Sequence, residues 1–67
     1  MSFDVQAHLA RLLTCREAAD WLRISTRTLW SLTDSGEIPS VHIRRSVRYR
    51  MQDLVAYVER STKGGGQ

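Results

Sequence analysis

One cysteine, one proline and no long apolar run set the first limits on this chain. A single thiol, Cys15, rules out an internal disulfide and fits a reducing compartment. The two histidines, His8 and His42, stand far from each other and from Cys15, so no metal-ligand spacing exists and no metal or cofactor is expected. No apolar stretch approaches the ~18 residues of a membrane span, and the first residues lack the basic start and apolar middle of a secretory signal. The simplest location is the cytoplasm, at a bacterial nucleoid. No Ser–His–Asp set, carboxylate dyad or phosphate-cradling loop is visible. The glycines at 64–66 precede neither a helix nor a Lys-Ser/Thr pair. A chain of 67 residues buries only ~60% of its extended surface, enough for one core but not for an enlarged catalytic cleft. Together these absences argue against an enzyme and against a small-molecule substrate.

Acid is missing where base is densest. Arg44, Arg45, Arg48 and Arg50 fall within seven residues, with no Asp or Glu between them. The net charge of +3 is modest, but residues 41–50 carry +4 while the rest, six basic residues against seven acidic, carries −1. Such a patch is an electrostatic footprint for nucleic acid or anionic membrane, and the bland alternative is an edge strand guarded by charge. Ile43, Val47 and Tyr49 alternate with the arginines, which predicts a β-hairpin with one face in the core and one toward a polyanion. A two-residue turn at Arg45-Ser46 would pair Ile43 with Arg48 and mix apolar with charged residues. A three-residue loop, Arg44-Arg45-Ser46, instead pairs Ile43 with Val47, Val41 with Tyr49 and His42 with Arg48. The second register is expected, because cross-strand partners share a face. It puts Arg44 and Arg45 at the tip and Arg48 on the outer side.

Helix signals surround this hairpin. Thr14 and Glu17 form a T-x-x-E capping box, and Cys15, Ala18, Ala19 and Leu22 recur on one face, predicting a helix over 14–23. The two alanines would let a second helix approach closely. Ser25 is a good N-cap for a helix over 25–35, with Ile24 and Leu29 at staple positions and Leu29 and Leu32 facing inward. Gly36 fits the residue after that helix, and Pro39 prevents its resumption. Two short capped helices joined by a tight turn are a helix-turn-helix signature. A closing helix over 51–60 has Asp53 in its first turn and Leu54, Tyr57 and Val58 as its inner stripe. Trp21, Tyr49 and Tyr57 are expected in the core or at its rim, and Cys15 as a small buried residue. Residues 2–12 fit neither period cleanly and read as a short helix, a disordered arm or a helix for a second copy, leading into an extended Leu12-Leu13. Residues 61–67 read as a flexible tail.

The runs Leu12-Leu13-Thr14-Cys15-Arg16-Glu17-Ala18-Ala19-Asp20-Trp21-Leu22 and Ile24-Ser25-Thr26-Arg27-Thr28-Leu29-Trp30 carry a family likeness. Ser35-Gly36-Glu37-Ile38-Pro39, Val47-Arg48-Tyr49 and Asp53-Leu54 continue it, at matching order and spacing. Over residues 12–60 the chain resembles the excisionase-like winged helix-turn-helix proteins, related to the DNA-binding part of MerR-type regulators. The resemblance implies a mainly α fold with a small β-hairpin. It implies specific binding of double-stranded DNA, with the second helix in the major groove and the hairpin wing on backbone and minor groove. It also implies partners: a recombinase or integrase for those members that direct excision, and further copies head-to-tail on DNA. Other members regulate transcription. MerR-type dimers use a long added helix that residues after Arg60 do not supply, so a monomer in solution is expected. Arg23 stands where the family often has Gly or Asn, and Arg44 where it often has Gly. A left-handed arginine costs about 1–2 kcal/mol, which argues for another turn shape at Arg23.

On the second helix, Thr26, Arg27, Trp30 and Ser31 are expected to face outward. Arg27 has the geometry for a bidentate contact to guanine, with a solvated surface arginine as the alternative. Trp30 is read either as a contact to sugar, thymine methyl or protein, or as a residue half-covered by the wing. Ser25, Thr26 and Thr28 bring hydroxyls and free N–H groups to a helix start, suiting a phosphate. Arg16 is a candidate phosphate clamp. Arg44, Arg45 and Arg48 are the best wing candidates for phosphate or groove width, with His42 beside Arg48 in the expected register. Arg50 is ambiguous between wing and closing helix. Two other function classes remain open: a module recruiting a recombinase, polymerase or toxin with weak DNA contact, and a DNA-reading piece of a recombinase. The capped helices at both ends of the globular part argue against the latter.

Overall fold

The computed structural model describes residues 10–63. The readings of residues 2–9 and 64–67 lie outside them. The order of elements is β1 (Leu12–Thr14), α1 (Cys15–Leu22), α2 (Thr26–Asp34), β2 (Val41–Ile43), β3 (Ser46–Arg50) and α3 (Met51–Ser61). The strands form one antiparallel sheet in the order β1-β3-β2. The fold is a small winged helix-turn-helix. The extended Leu12-Leu13 proves to be a third strand, pairing Leu13 with Tyr49 and Thr14 with Arg48.

Local chemistry sets the helix ends. The Thr14 hydroxyl accepts the Glu17 N–H at 3.1 Å, and the Glu17 carboxylate accepts the Thr14 N–H at 2.9 Å, closing the capping box. Ser25 Oγ accepts the Thr28 N–H at 3.0 Å and starts α2. Both helices then end in the same way. After α2, the Glu37 N–H reaches Leu32 O and the Gly36 N–H reaches Thr33 O, with Gly36 at φ +84°. After α1, the Ile24 N–H reaches Ala19 O and the Arg23 N–H reaches Asp20 O, with Arg23 at φ 61°. These are paired Schellman closures, one on glycine and one on arginine.

Arg23 therefore corrects the expectation of a different turn shape. The turn keeps its left-handed residue and tolerates the strain, because two backbone bonds and the tucked Ile24 fix it. A left-handed side chain costs about 1–2 kcal/mol, and glycine returns about 0.5–1 kcal/mol of that in backbone entropy. Arg23→Gly is expected to stabilise the domain by about 0.5–1 kcal/mol, read as a rise of several degrees in Tm.

The hairpin register also differs from expectation. Arg44 and Arg45 form a two-residue turn, and β2 pairs Ile43 with Ser46, His42 with Val47 and Val41 with Arg48. Arg44 alone of the two turn residues has positive φ, at 55°, which is the II′ pattern suited to strand twist. The shift of one residue turns β2 over. Val41 and Ile43 lie on the outer face with Arg48, and His42 lies on the inner face with Val47 and Tyr49, so His42 is not beside Arg48. No residue of β2 is fully buried. Core burial therefore does not pin its register, and turn geometry decides it.

The core consists of Leu13, Ala18, Ala19, Leu29, Ile38, Tyr49, Met51 and Leu54. Cys15, Leu22, Leu32 and Tyr57 pack partly buried against it, so Cys15 is less covered than expected. Trp21 is 44% exposed and does not belong to the core rim. At about 100° per residue it falls beside the stripe of Cys15, Ala18, Ala19 and Leu22. Val58, expected on the inner stripe, is instead 41% exposed and borders an open groove of about 360 Å³ with Leu22, Ile24, Leu32 and Tyr57. No helix among the described residues is long and apolar enough to cross a membrane.

Candidate nucleic-acid interface

α2 is held by its two flanks. Leu29 is fully buried and marks its innermost line. At about 100° per residue, Thr26, Trp30 and Thr33 fall on one side of that line, Thr28 and Leu32 on the other, and Arg27 and Ser31 opposite it. Thr28 and Leu32 border the open groove beside α3, and Leu32 packs partly buried against the core on that flank. The opposite flank is bolted to the sheet. Thr33 Oγ1 donates to Leu29 O at 2.9 Å and lies 2.9 Å from the Tyr49 hydroxyl. Its proton is thus committed to Leu29, and Tyr49 donates to Thr33. The same sheet face continues from Tyr49 through Val47 and His42 toward the Arg44-Arg45 tip. Trp30 and Thr26 therefore lie on the wing side of α2, and Arg27 and Ser31 on its free side. All four are exposed, Trp30 by 50%.

Tyr49 makes this bolt from a fully buried position. Burial pushes its phenol above the usual value of 10.0. The folded state thus keeps a proton that the unfolded chain releases above pH 10, so stability is complete below that pH and declines above it. Tyr49→Phe removes the bond and the titration together. It is expected to cost about 1 kcal/mol near neutrality, with a flatter stability profile above pH 10 in urea unfolding.

Residues 12–62 match the model of a family described as a helix-turn-helix domain. The chain belongs to that family. No curated protein and no solved structure matches the chain. The protein is a DNA-binding helix-turn-helix protein, and DNA is its partner.

In this helix-turn-helix domain the arginines of the hairpin separate into three roles. Arg44 and Arg45 occupy the turn, exposed to solvent. Arg48 is half-buried on the outer face, between Thr14 and Val41, with Nη1 donating to Val47 O at 2.9 Å. It thus faces away from α2. Arg50 is spent on structure. Its Nε and Nη2 donate to the Asp53 carboxylate at 2.7 and 3.1 Å, across the junction into α3. That carboxylate holds the Arg50 guanidinium more firmly protonated than usual.

The remaining positions divide in the same way. Ser25 and Thr28 are tied to each other, with Ser25 Oγ donating to Thr28 Oγ1 at 2.9 Å, at the groove side of the α2 start. His42 Nε2 lies 3.1 Å from Ser40 Oγ on the inner face of the wing. Arg16 is exposed in the first turn of α1. Among the described residues no cluster of His, Cys, Asp and Glu is fit to hold a metal. Three positioning residues had no clear sequence signal. Thr33 and Tyr49 are sixteen residues apart, and nothing local marks their bond. Arg60 lies 5.7 Å from the Tyr57 ring centroid and donates to Glu37 O at 2.7 Å, tying the end of α3 to the loop after α2.

Proposed function

We propose that the chain is a sequence-specific binder of duplex DNA, excisionase-like in action, serving as a recombination directionality factor or a small transcriptional regulator. α2 enters the major groove, and the wing runs along the neighbouring backbone and minor groove. The observation that carries this reading is the Thr33–Tyr49 bond, which supports a continuous surface from Arg27 and Ser31 through Trp30 and Thr26 to the Arg44-Arg45 tip. Arg27 reads a base edge, and Ser31 and Thr26 support it. Arg44 and Arg45 take phosphates, as do Arg16 and the Ser25–Thr28 helix start, while Arg48 and His42 act at the margins of the wing. The binding unit is residues 12–60, flanked by an arm over 1–11 and a tail over 61–67. The protein is a monomer in solution and assembles head-to-tail on DNA, with a recombinase as partner where it directs excision.

The test begins with a mobility shift on random duplex at low salt, where binding is expected, followed by selection of preferred sites. Arg27→Ala is then expected to relax preference at one base position, costing about 1–3 kcal/mol of discrimination there and leaving binding to random duplex little changed. A uniform loss on all sequences would remove Arg27 from base reading. A second reading, a recruiting module with weak DNA contact, draws on the open apolar groove between α2 and α3. Absence of any shift at low salt would favour it.

A further inference from the structure

Glu17 is an acid set among bases. Its carboxylate is fixed by the Thr14 N–H at 2.9 Å, so its charge does not wander as a free surface glutamate's would. Thr14 is the cross-strand partner of Arg48, with both side chains on the outer face of the sheet. Arg11 lies just ahead of β1, and Arg16 precedes Glu17 in α1. Neither Arg11 nor Arg48 closes an ion pair with Glu17 among the described residues. Arg48 Nη1 is engaged by Val47 O, and neither guanidinium is held by a carboxylate among the described residues. The Glu17 carboxyl nonetheless titrates below its usual 4.5, first because of the Thr14 backbone bond, then the Thr14 hydroxyl, and then the fields of Arg11 and Arg48.

A fixed carboxylate near arginines that no described carboxylate holds has the charge of a backbone phosphate. We propose that Glu17 is a built-in competitor of DNA phosphate for Arg48 and Arg11, holding down the sequence-independent part of DNA affinity. A duplex approaching the outer side of the wing meets a field already partly neutralised. Fewer counterions are then released from that side, and random duplex binds more weakly than the arginine count implies. Capping and charge are separable here. A glutamine at the same position serves a capping box as well as glutamate does, so Glu17→Gln removes the charge and keeps the helix start. The proposal rests on the reading of the chain as a duplex binder.

The experiment measures binding of a labelled random duplex by anisotropy across 50–200 mM salt. The parent, Glu17→Gln, Glu59→Gln, Arg11→Gln/Arg48→Gln and the triple variant are compared, each checked for folding by circular dichroism. Glu59, in the last turns of α3, controls for net charge alone. Glu17→Gln is expected to bind about three- to tenfold more tightly than the parent at 50 mM salt, with a log–log salt slope steeper by up to about 0.9. Glu59→Gln is expected to change affinity by less than twofold. In the Arg11→Gln/Arg48→Gln background the gain from Glu17→Gln is expected to vanish. An equal gain for Glu17→Gln and Glu59→Gln, or a full gain without the two arginines, would overturn the proposal. A parent that binds no duplex at 50 mM salt would instead overturn the DNA-binding reading beneath it.

Discussion

Leu29→Ala leaves much of the protein unfolded at 25 °C. Leu29 is fully buried, at the point where α2 meets the rest of the core. Its carbonyl also accepts the Thr33 hydroxyl, so the side chain that seats α2 belongs to the residue that receives the bolt to the sheet. Truncating a buried leucine to alanine costs about 2–5 kcal/mol, through lost transfer free energy and the cavity left behind. A core in a chain below about 70–80 residues rarely supplies more than about 3–5 kcal/mol in total. The two quantities are of the same size. Urea unfolding followed by circular dichroism should show a baseline already sloping in water, against a clear native plateau for the parent. Leu32→Ala is the internal comparison, because Leu32 is only partly buried beside an open groove. It is expected to cost distinctly less, and equal losses at the two positions would mean that Leu29 does not seat the helix.

The second large effect is on affinity. Arg44→Gly/Arg45→Ala is expected to weaken binding to any duplex by roughly 30-fold at 150 mM salt and roughly 200-fold at 50 mM, from about two counterions fewer released. If about five phosphates are neutralised by the parent, its affinity falls roughly 500-fold between 50 and 200 mM salt, and that of the variant roughly 40-fold. The choice of glycine at Arg44 is deliberate. Arg44 holds φ 55°, a conformation that glycine adopts without strain, so the hairpin is retained and the loss reports charge. Preference among sites should survive, because a tip that contacts only backbone carries no base preference. A variant with an unchanged salt slope would place the duplex away from the wing.

Much of this architecture is legible in the residues themselves. The Thr14–Glu17 box, the Ser25 cap and Gly36 each specify a helix end through a single side chain or a single backbone requirement, and each is found as written. The stripe of Ala18, Ala19 and Leu22 and the inward Leu29 follow from period alone. What the sequence hides is chiefly pairing. The slip of β2 by one residue reversed His42 and Ile43, because a strand without a buried residue answers to its turn and not to the core. The partnership of β1 with β3 and the Thr33–Tyr49 bond are contacts between distant residues, which no local pattern encodes. Arg50 illustrates the same limit. In the chain it is one of four clustered arginines, and in the fold its guanidinium belongs to Asp53.

On the proposed reading one surface, made of the free and wing-side flanks of α2 and of the hairpin tip, meets the duplex. Backbone amide shifts of isotopically labelled protein, followed during titration with a duplex chosen by site selection, test it most directly. The expected result is a set of perturbed amides running over Thr26, Arg27, Trp30 and Ser31 together with Arg44 and Arg45, while Leu22, Leu32, Tyr57 and Val58 around the groove stay still. Perturbations confined to the groove residues, with α2 and the turn arginines unmoved, would contradict the account.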